Sequence, residues 1–156
     1  MESTIAKMIP LYLGFENNVY MIGIYGIGGL GKTTLARIVY DQFYSHFEGS
    51  SFIANVREDS QKHGLPRLQK QLLVDILKEK EINIQNVYEG VNMIKKRLCR
   101  KKVLLVIDDV NHLDQLEKLA GEHSWFGLGS WIIITTRDEH VLAEHGVLKI
   151  DRKTHV

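Results

Sequence analysis

Lys32, Thr33 and Thr34 stand directly behind a stretch in which Gly23, Gly26, Gly28, Gly29 and Gly31 fill five of nine positions. Glycine costs roughly 0.5–1 kcal/mol relative to alanine inside regular structure, so this concentration marks a place that needs bare backbone. "GIGGLGKT", Gly26 to Thr33, satisfies the pattern G-x-x-x-x-G-K-[ST]. The N–H groups of such a loop wrap phosphate oxygens at a distance that side chains would block, and the positive end of a following helix faces the same anion. Lys32 is then placed to reach β- and γ-phosphates, and the Thr33 hydroxyl to ligate Mg²⁺. The competing reading is a glycine-rich turn without a ligand. A carboxylate at the end of an apolar strand is also required, to hold the metal ion through water. "VLLVIDD" supplies Asp108 as that metal carboxylate, with Asp109 beside it. Arg137, directly after "IIITT", puts a cation at the carboxyl end of a buried strand, where open α/β sheets bind their ligands. A surface arginine opening a helix is the alternative there.

These residues need strands that end together and helices that start there. "VYMIGIYG" (Val19 to Gly26) is a continuous apolar run, as expected of a strand buried on both faces. "TTLARIVYDQF" sets Leu35, Ile38, Val39 and Phe43 on one helical face. Further strands are expected at Ser50 to Val56, Lys102 to Asp109 and Ser130 to Thr136, with a fifth at Val147 to Ile150. Helical spacing recurs in Leu65, Leu68, Leu72, Ile76 and Leu77, in Val87, Val91, Ile94 and Leu98, and in Leu113, Leu116 and Leu119. A last short helix, "DEHVLAEHG", closes on Gly146. Strands separated by helices imply a mostly parallel sheet with helices on both faces, and right-handed crossovers leave few topologies.

Composition narrows the function. The 156 residues are 44% hydrophobic and 25% charged, which suits one globular domain that needs no disulfide or metal staple. Twenty Lys and Arg against nineteen Asp and Glu give a net charge of +1, which argues against a nucleic-acid or membrane surface as the main partner. The basic run "IKKRLCRKK" reads as the solvated end of a helix, with the single cysteine, Cys99, at the edge of an apolar face. "HVLAEH" places His140 and His145 at i and i+5, the wrong spacing for two zinc ligands on one helix face, so both read as surface residues. The amino-terminal segment makes a poor signal peptide, and no apolar run approaches the length of a membrane span. A cytoplasmic location, with the nucleus also open, is expected.

Taken in order, "GIGGLGKTTLA", "SSFIANVREDSQKHGLPRLQKQLL", "KKVLLVIDDVN" and "GSWIIITTRDEHVL" resemble the successive blocks of the plant NB-ARC domain. That domain is the nucleotide-binding switch of intracellular disease-resistance receptors. Asn111 after "DDV" makes the chain most similar to receptors with an amino-terminal TIR domain. The resemblance implies an α/β P-loop NTPase fold of the STAND class, with a five-stranded sheet in the order 5-1-4-3-2. ATP or ADP with Mg²⁺ would be the cofactors. Gly26, Gly28, Gly29, Gly31, Lys32, Thr33, Thr34 and Arg137 would bind nucleotide, Thr33 and Asp108 the metal, and Arg137 would be the sensor arginine. Residues 1–156 would form one partial nucleotide-binding subdomain, with 1–14 the remnant of an upstream helix or linker. The ARC subdomains, the TIR and leucine-rich-repeat regions and the block that contacts adenine would lie outside it. In a full-length receptor the ARC and leucine-rich regions, and a self-oligomer on activation, would be the partners. Glu58, Lys62 and His63 match the family block without an evident physical role.

Two other classes compete with a switch. A phosphotransferase or turnover ATPase would need an arginine-rich lid or an LSGGQ-like signature, and the chain has neither. A truncated fragment without independent function is opposed by the intact Gly31, Lys32, Thr33 and Asp108. If hydrolysis occurs it should be slow. Many related ATPases carry Glu where this chain has Asp109, and a carboxylate one methylene shorter sits about 1.5 Å back from the attacking water. A displacement of about 1 Å can cost on the order of 100-fold in rate.

Overall fold

Five strands form one sheet in the computed structural model, which describes residues 17–26, 30–143 and 147–151. They are β1 (Tyr20–Tyr25), β2 (Gly49–Ile53), β3 (Val103–Val110), β4 (Trp131–Thr136) and β5 (Leu148–Asp151). Their order is β2-β3-β4-β1-β5, and every described pairing is parallel. β4 therefore lies between β1, which leads into the glycine loop, and β3, which carries Asp108.

The apolar runs are continuous because alternate side chains serve two cores. Met21, Val103, Leu105, Ile107, Ile132 and Ile134 belong to one buried cluster. Ile22, Ile24, Leu104, Val106, Trp131 and Ile133 belong to the other. This is the period of two that a pleated strand imposes. Helix α1 (Leu30–Phe43) covers the second cluster with Leu35, Ala36, Val39 and Phe43. Trp131 is wedged there between Phe43 and Phe47, at centroid distances of 5.4 and 5.1 Å. The first cluster is covered by α2 (Val56–His63), α3 (Leu65–Leu77), α4 (Val87–Leu98) and α5 (Leu113–Ala120). α3 packs so closely on β2 that a Cβ on Gly49 would lie 2.6 Å from the Ile76 carbonyl oxygen.

Local chemistry explains the boundaries. Gly64, at φ 85°, ends α2 and starts α3, a turn that a side chain would strain. Asn86 caps α4, its Oδ1 accepting from the N–H groups of Tyr88 and Glu89 at 3.1 and 3.0 Å. Gln115 closes α5 by accepting from the N–H groups of Asn111 and His112 at 2.9 and 3.2 Å.

Several expectations change. The strand expected to run to Val56 ends at Ile53, because Asn55 turns into the left-handed region at φ 53° and Val56 opens α2. α2 carries a single buried residue, Val56, so it has no apolar period to betray it. Ile38 is 42% exposed, off the buried stripe of α1. Cys99 is exposed just past the end of α4 rather than packed at its edge. The last helix is a short 3₁₀ turn, Glu139–Leu142, with His140 exposed. Residues 1–14, Gly28, Gly29, His145 and Gly146 lie outside the described residues. Among the described residues, no helix is long and apolar enough to cross a membrane.

Candidate nucleotide site

Parallel strands present all their carboxyl ends on one edge, and the candidate residues collect there. β1 ends at Tyr25 and leads into Gly26, whose φ of 147° is rare for residues with a side chain. The first turn of α1 then delivers Lys32 and Thr33. Lys32 is only 4% exposed, and its Nζ donates to the Gly26 carbonyl oxygen at 2.6 Å. A buried ammonium group is strongly disfavoured unless anions or carbonyl oxygens surround it, so the fold here holds a cation beside the loop at a real cost.

Asp108, 1% exposed, is the other buried charge. Its Oδ1 accepts from the Thr33 and Thr135 hydroxyls, both at 2.8 Å, and its Oδ2 from the Asn55 N–H at 3.4 Å. Three elements besides β3 therefore converge on one carboxylate. Thr135 does more: its Oγ1 also accepts from the Asp109 N–H at 2.8 Å. One hydroxyl thus ties both acidic positions of β3 to β4.

Between Ile107 and Val110 the β3–β4 register slips, a bulge that leaves Asp109 at φ 63°. Bulges of this kind re-aim side chains beside functional sites. In an unbroken strand Asp108 and Asp109 would point to opposite faces; here both contribute to the same region. The Asp109 Oδ2 accepts from Arg57 Nε at 3.1 Å, with Arg57 39% and Asp109 19% exposed.

A cavity of about 270 Å³ is lined by Lys32, Thr33, Asn55, Arg57, Asp109, Thr135 and Arg137. The structure thus brings Lys32, Thr33, Asp109 and Arg137 together, with Asp108 buried beneath them. Arg137 is exposed at the end of β4, and Gly31 and Thr34 are exposed on the first turn of α1. The walls that Gly28 and Gly29 would contribute are outside the described residues. Asn55, Arg57 and Thr135 were not foreseen. Glu58 and Lys62 form an exposed i,i+4 pair at 3.3 Å, and His63 lies 3.8 Å from Asp59. With Asn55 and Asp59 they line a polar recess along α2. A larger cleft, about 580 Å³, separates α2 from α5 and shares Arg57 with the site. Lys32 and Thr33, on the first turn of α1, line the smaller cavity and not this cleft.

The donors suit a hard cation. Thr33 Oγ1 and the Asp108 carboxylate are oxygen ligands of the kind Mg²⁺ takes one or two at a time, keeping its remaining positions for water and phosphate. Among the described residues no group of three or more His, Cys, Asp and Glu could hold a metal ion by itself.

Comparison with known proteins agrees with this geometry. The fold is similar to a chain in the structure of Drosophila ORC bound to GC-rich DNA and Cdc6, with a TM-score of 0.65 at 13% identity, over 94% of this chain and 54% of that one. Disease resistance protein RPV1 of Vitis rotundifolia is 48% identical over 91% of the chain. RUN1 of the same species is 44% identical over 96%, and the TMV resistance protein N of Nicotiana glutinosa 42% over 85%. The chain spans only 10–12% of the length of these three relatives. The NB-ARC domain model matches residues 2–155. A match that runs almost end to end, over a sheet whose edge gathers Lys32, Thr33 and Asp108, makes this chain a member of the NB-ARC domain family.

Proposed function

We propose that the chain is the ADP/ATP-binding switch module of an intracellular plant immune receptor, with slow Mg²⁺-dependent hydrolysis returning it to the off state. The observation that carries this reading is the presence of two buried opposite charges at one sheet edge, Lys32 donating to the Gly26 carbonyl and Asp108 accepting from the hydroxyl of the adjacent Thr33. A phosphate is the ligand that such an arrangement fits. Lys32 exchanges the Gly26 carbonyl for phosphate oxygens and Thr34 supports the loop from the α1 start. Gly26, Gly28, Gly29 and Gly31 offer backbone N–H groups to the same anion. Thr33 and Asp108 would hold the metal ion, Asp108 through water, and Mg²⁺ would there supply neutralisation of phosphate charge. Arg137 reaches the terminal phosphate and reports its presence. Asp109 orients the attacking water as a base one methylene too short for fast turnover. Slow hydrolysis suits a protein whose bound nucleotide marks a state, ADP for off and ATP for on. Intramolecular ARC and leucine-rich regions, and a self-oligomer in the ATP state, are the partners this role calls for.

The test is Mg²⁺ dependence. Asp108→Ala should abolish the gain in ATP affinity that Mg²⁺ confers, measured by calorimetry with and without the ion. An Asp108→Ala protein that keeps the full Mg²⁺ effect would remove the metal assignment.

A further inference from the structure

Asp109 has an unusually constrained backbone and a lightly held side chain. It occupies the extra position of the β3–β4 bulge at φ 63°, a conformation that non-glycine residues rarely adopt. Its N–H is fixed on Thr135 Oγ1 at 2.8 Å. The carboxylate, by contrast, has one partner among the described residues, Arg57 Nε at 3.1 Å on Oδ2.

Arg57 is itself held in place by its helix. It sits in the first turn of α2, whose position is fixed at both sides of it. The Asn55 N–H donates to Asp108 Oδ2 at 3.4 Å, and the Ser60 hydroxyl accepts from Gln115 Nε2 of α5 at 3.0 Å. The β2–α2 segment thus touches Asp108, Asp109 and the start of α5 in turn, and Arg57 is its contact with Asp109. As a source of stability the pair counts for little, since solvent screens an ion pair this exposed. As a source of geometry it counts for more: one carboxylate oxygen is fixed by the guanidinium and the other stays available to accept.

We propose that Arg57 is the positioning residue for Asp109, holding its carboxylate toward the shared cavity so that Oδ1 can take the proton of the attacking water. This rests on the reading of Asp109 as the base. Arg57 does not touch the reacting atoms in this assignment. Arg57 also lines the cavity, so direct action of its guanidinium on the terminal phosphate is the rival role that the experiment must separate.

The experiment is single-turnover ATP hydrolysis with Mg²⁺ in the full native polypeptide carrying this chain, using wild type, Arg57→Ala, Asp109→Asn and the double variant. ATP affinity is measured in parallel by calorimetry. Arg57→Ala is expected to lose roughly 10- to 100-fold in rate with ATP affinity unchanged. In the Asp109→Asn background it should cost nothing further. Added guanidinium ion should restore part of the rate to Arg57→Ala and none to the double variant, a response that a merely structural role would not give. A wild-type rate for Arg57→Ala beside a slow Asp109→Asn overturns the positioning role and leaves the base reading standing. An equal cost of Arg57→Ala in both backgrounds overturns it in favour of direct phosphate contact. A wild-type rate for Asp109→Asn removes the base reading and the positioning role with it.

Discussion

Thr135→Val removes one oxygen atom and almost no volume, yet it should be among the most damaging conservative changes in the site. Thr135 is 1% exposed, and its hydroxyl donates to Asp108 Oδ1 and accepts from the Asp109 N–H, both at 2.8 Å. A hydrogen bond to a charged acceptor contributes about 1.5–3 kcal/mol, and a partly buried N–H left without an acceptor costs about 1–3 kcal/mol. Asp108 keeps its Thr33 and Asn55 donors, which moderates the first loss, and the added methyl returns about 0.8 kcal/mol by burial. The net expectation is about 2–4 kcal/mol of lost stability, or roughly 5–15 °C in Tm for a chain of this size. Thr135→Ser keeps both bonds and gives up only a buried methyl, a loss of about 1 kcal/mol. Equilibrium urea denaturation of the three proteins reads the difference directly. Were Thr135→Val to fall within about 0.5 kcal/mol of wild type, the hydroxyl bridge would not be what joins β4 to the two acidic positions.

Two further changes probe the scaffold. A Cβ on Gly90 would lie 2.0 Å from Gln69 Oε1, and Gln69 Nε2 bridges the Val87 and Lys118 carbonyls. Gly90→Ala should therefore destabilise by about 1–3 kcal/mol despite its better helix propensity, with a smaller loss when combined with Gln69→Ala, as urea denaturation of the three variants would show. Asp138 caps the 3₁₀ turn after Arg137, and the His140 N–H bonded to its carboxylate, followed by the His140 ring, lowers its pKa from the ordinary aspartate value. Because the folded value is depressed, its contribution is present above the unfolded pKa and disappears as pH falls through the folded one. A carboxyl NMR titration should place the midpoint below that of an ordinary aspartate, and a midpoint at or above the ordinary value contradicts the cap.

The sequence made some of this legible for physical reasons that can be named. Lys32, Thr33 and Asp108 could be paired across 75 residues because the glycine loop and the strand-end carboxylate each have a local signature. The apolar runs of β1, β3 and β4 were readable because burial on both faces leaves no polar position in the middle of a strand. Asn55 and Arg57 were not readable, because their roles exist only through contacts with residues more than 50 positions away. Nor was the bulge: nothing in "VIDDV" marks Asp109 as the residue that turns left-handed, since aspartate adopts that region only occasionally. Thr135 looked like one more β-branched residue of a strand. Ile38 shows the opposite failure, an apolar residue at helical spacing that the fold leaves partly in water.

Nucleotide binding through Lys32 is the claim on which the rest depends, and calorimetric titration of ATP and ADP into wild type and Lys32→Ala tests it most directly. The ammonium group is buried against Gly26, and a charge-assisted hydrogen bond from it to phosphate is worth about 1.5–3 kcal/mol. The account predicts a loss of affinity of roughly 10- to 150-fold in Lys32→Ala. Equal affinities in the two proteins would contradict it.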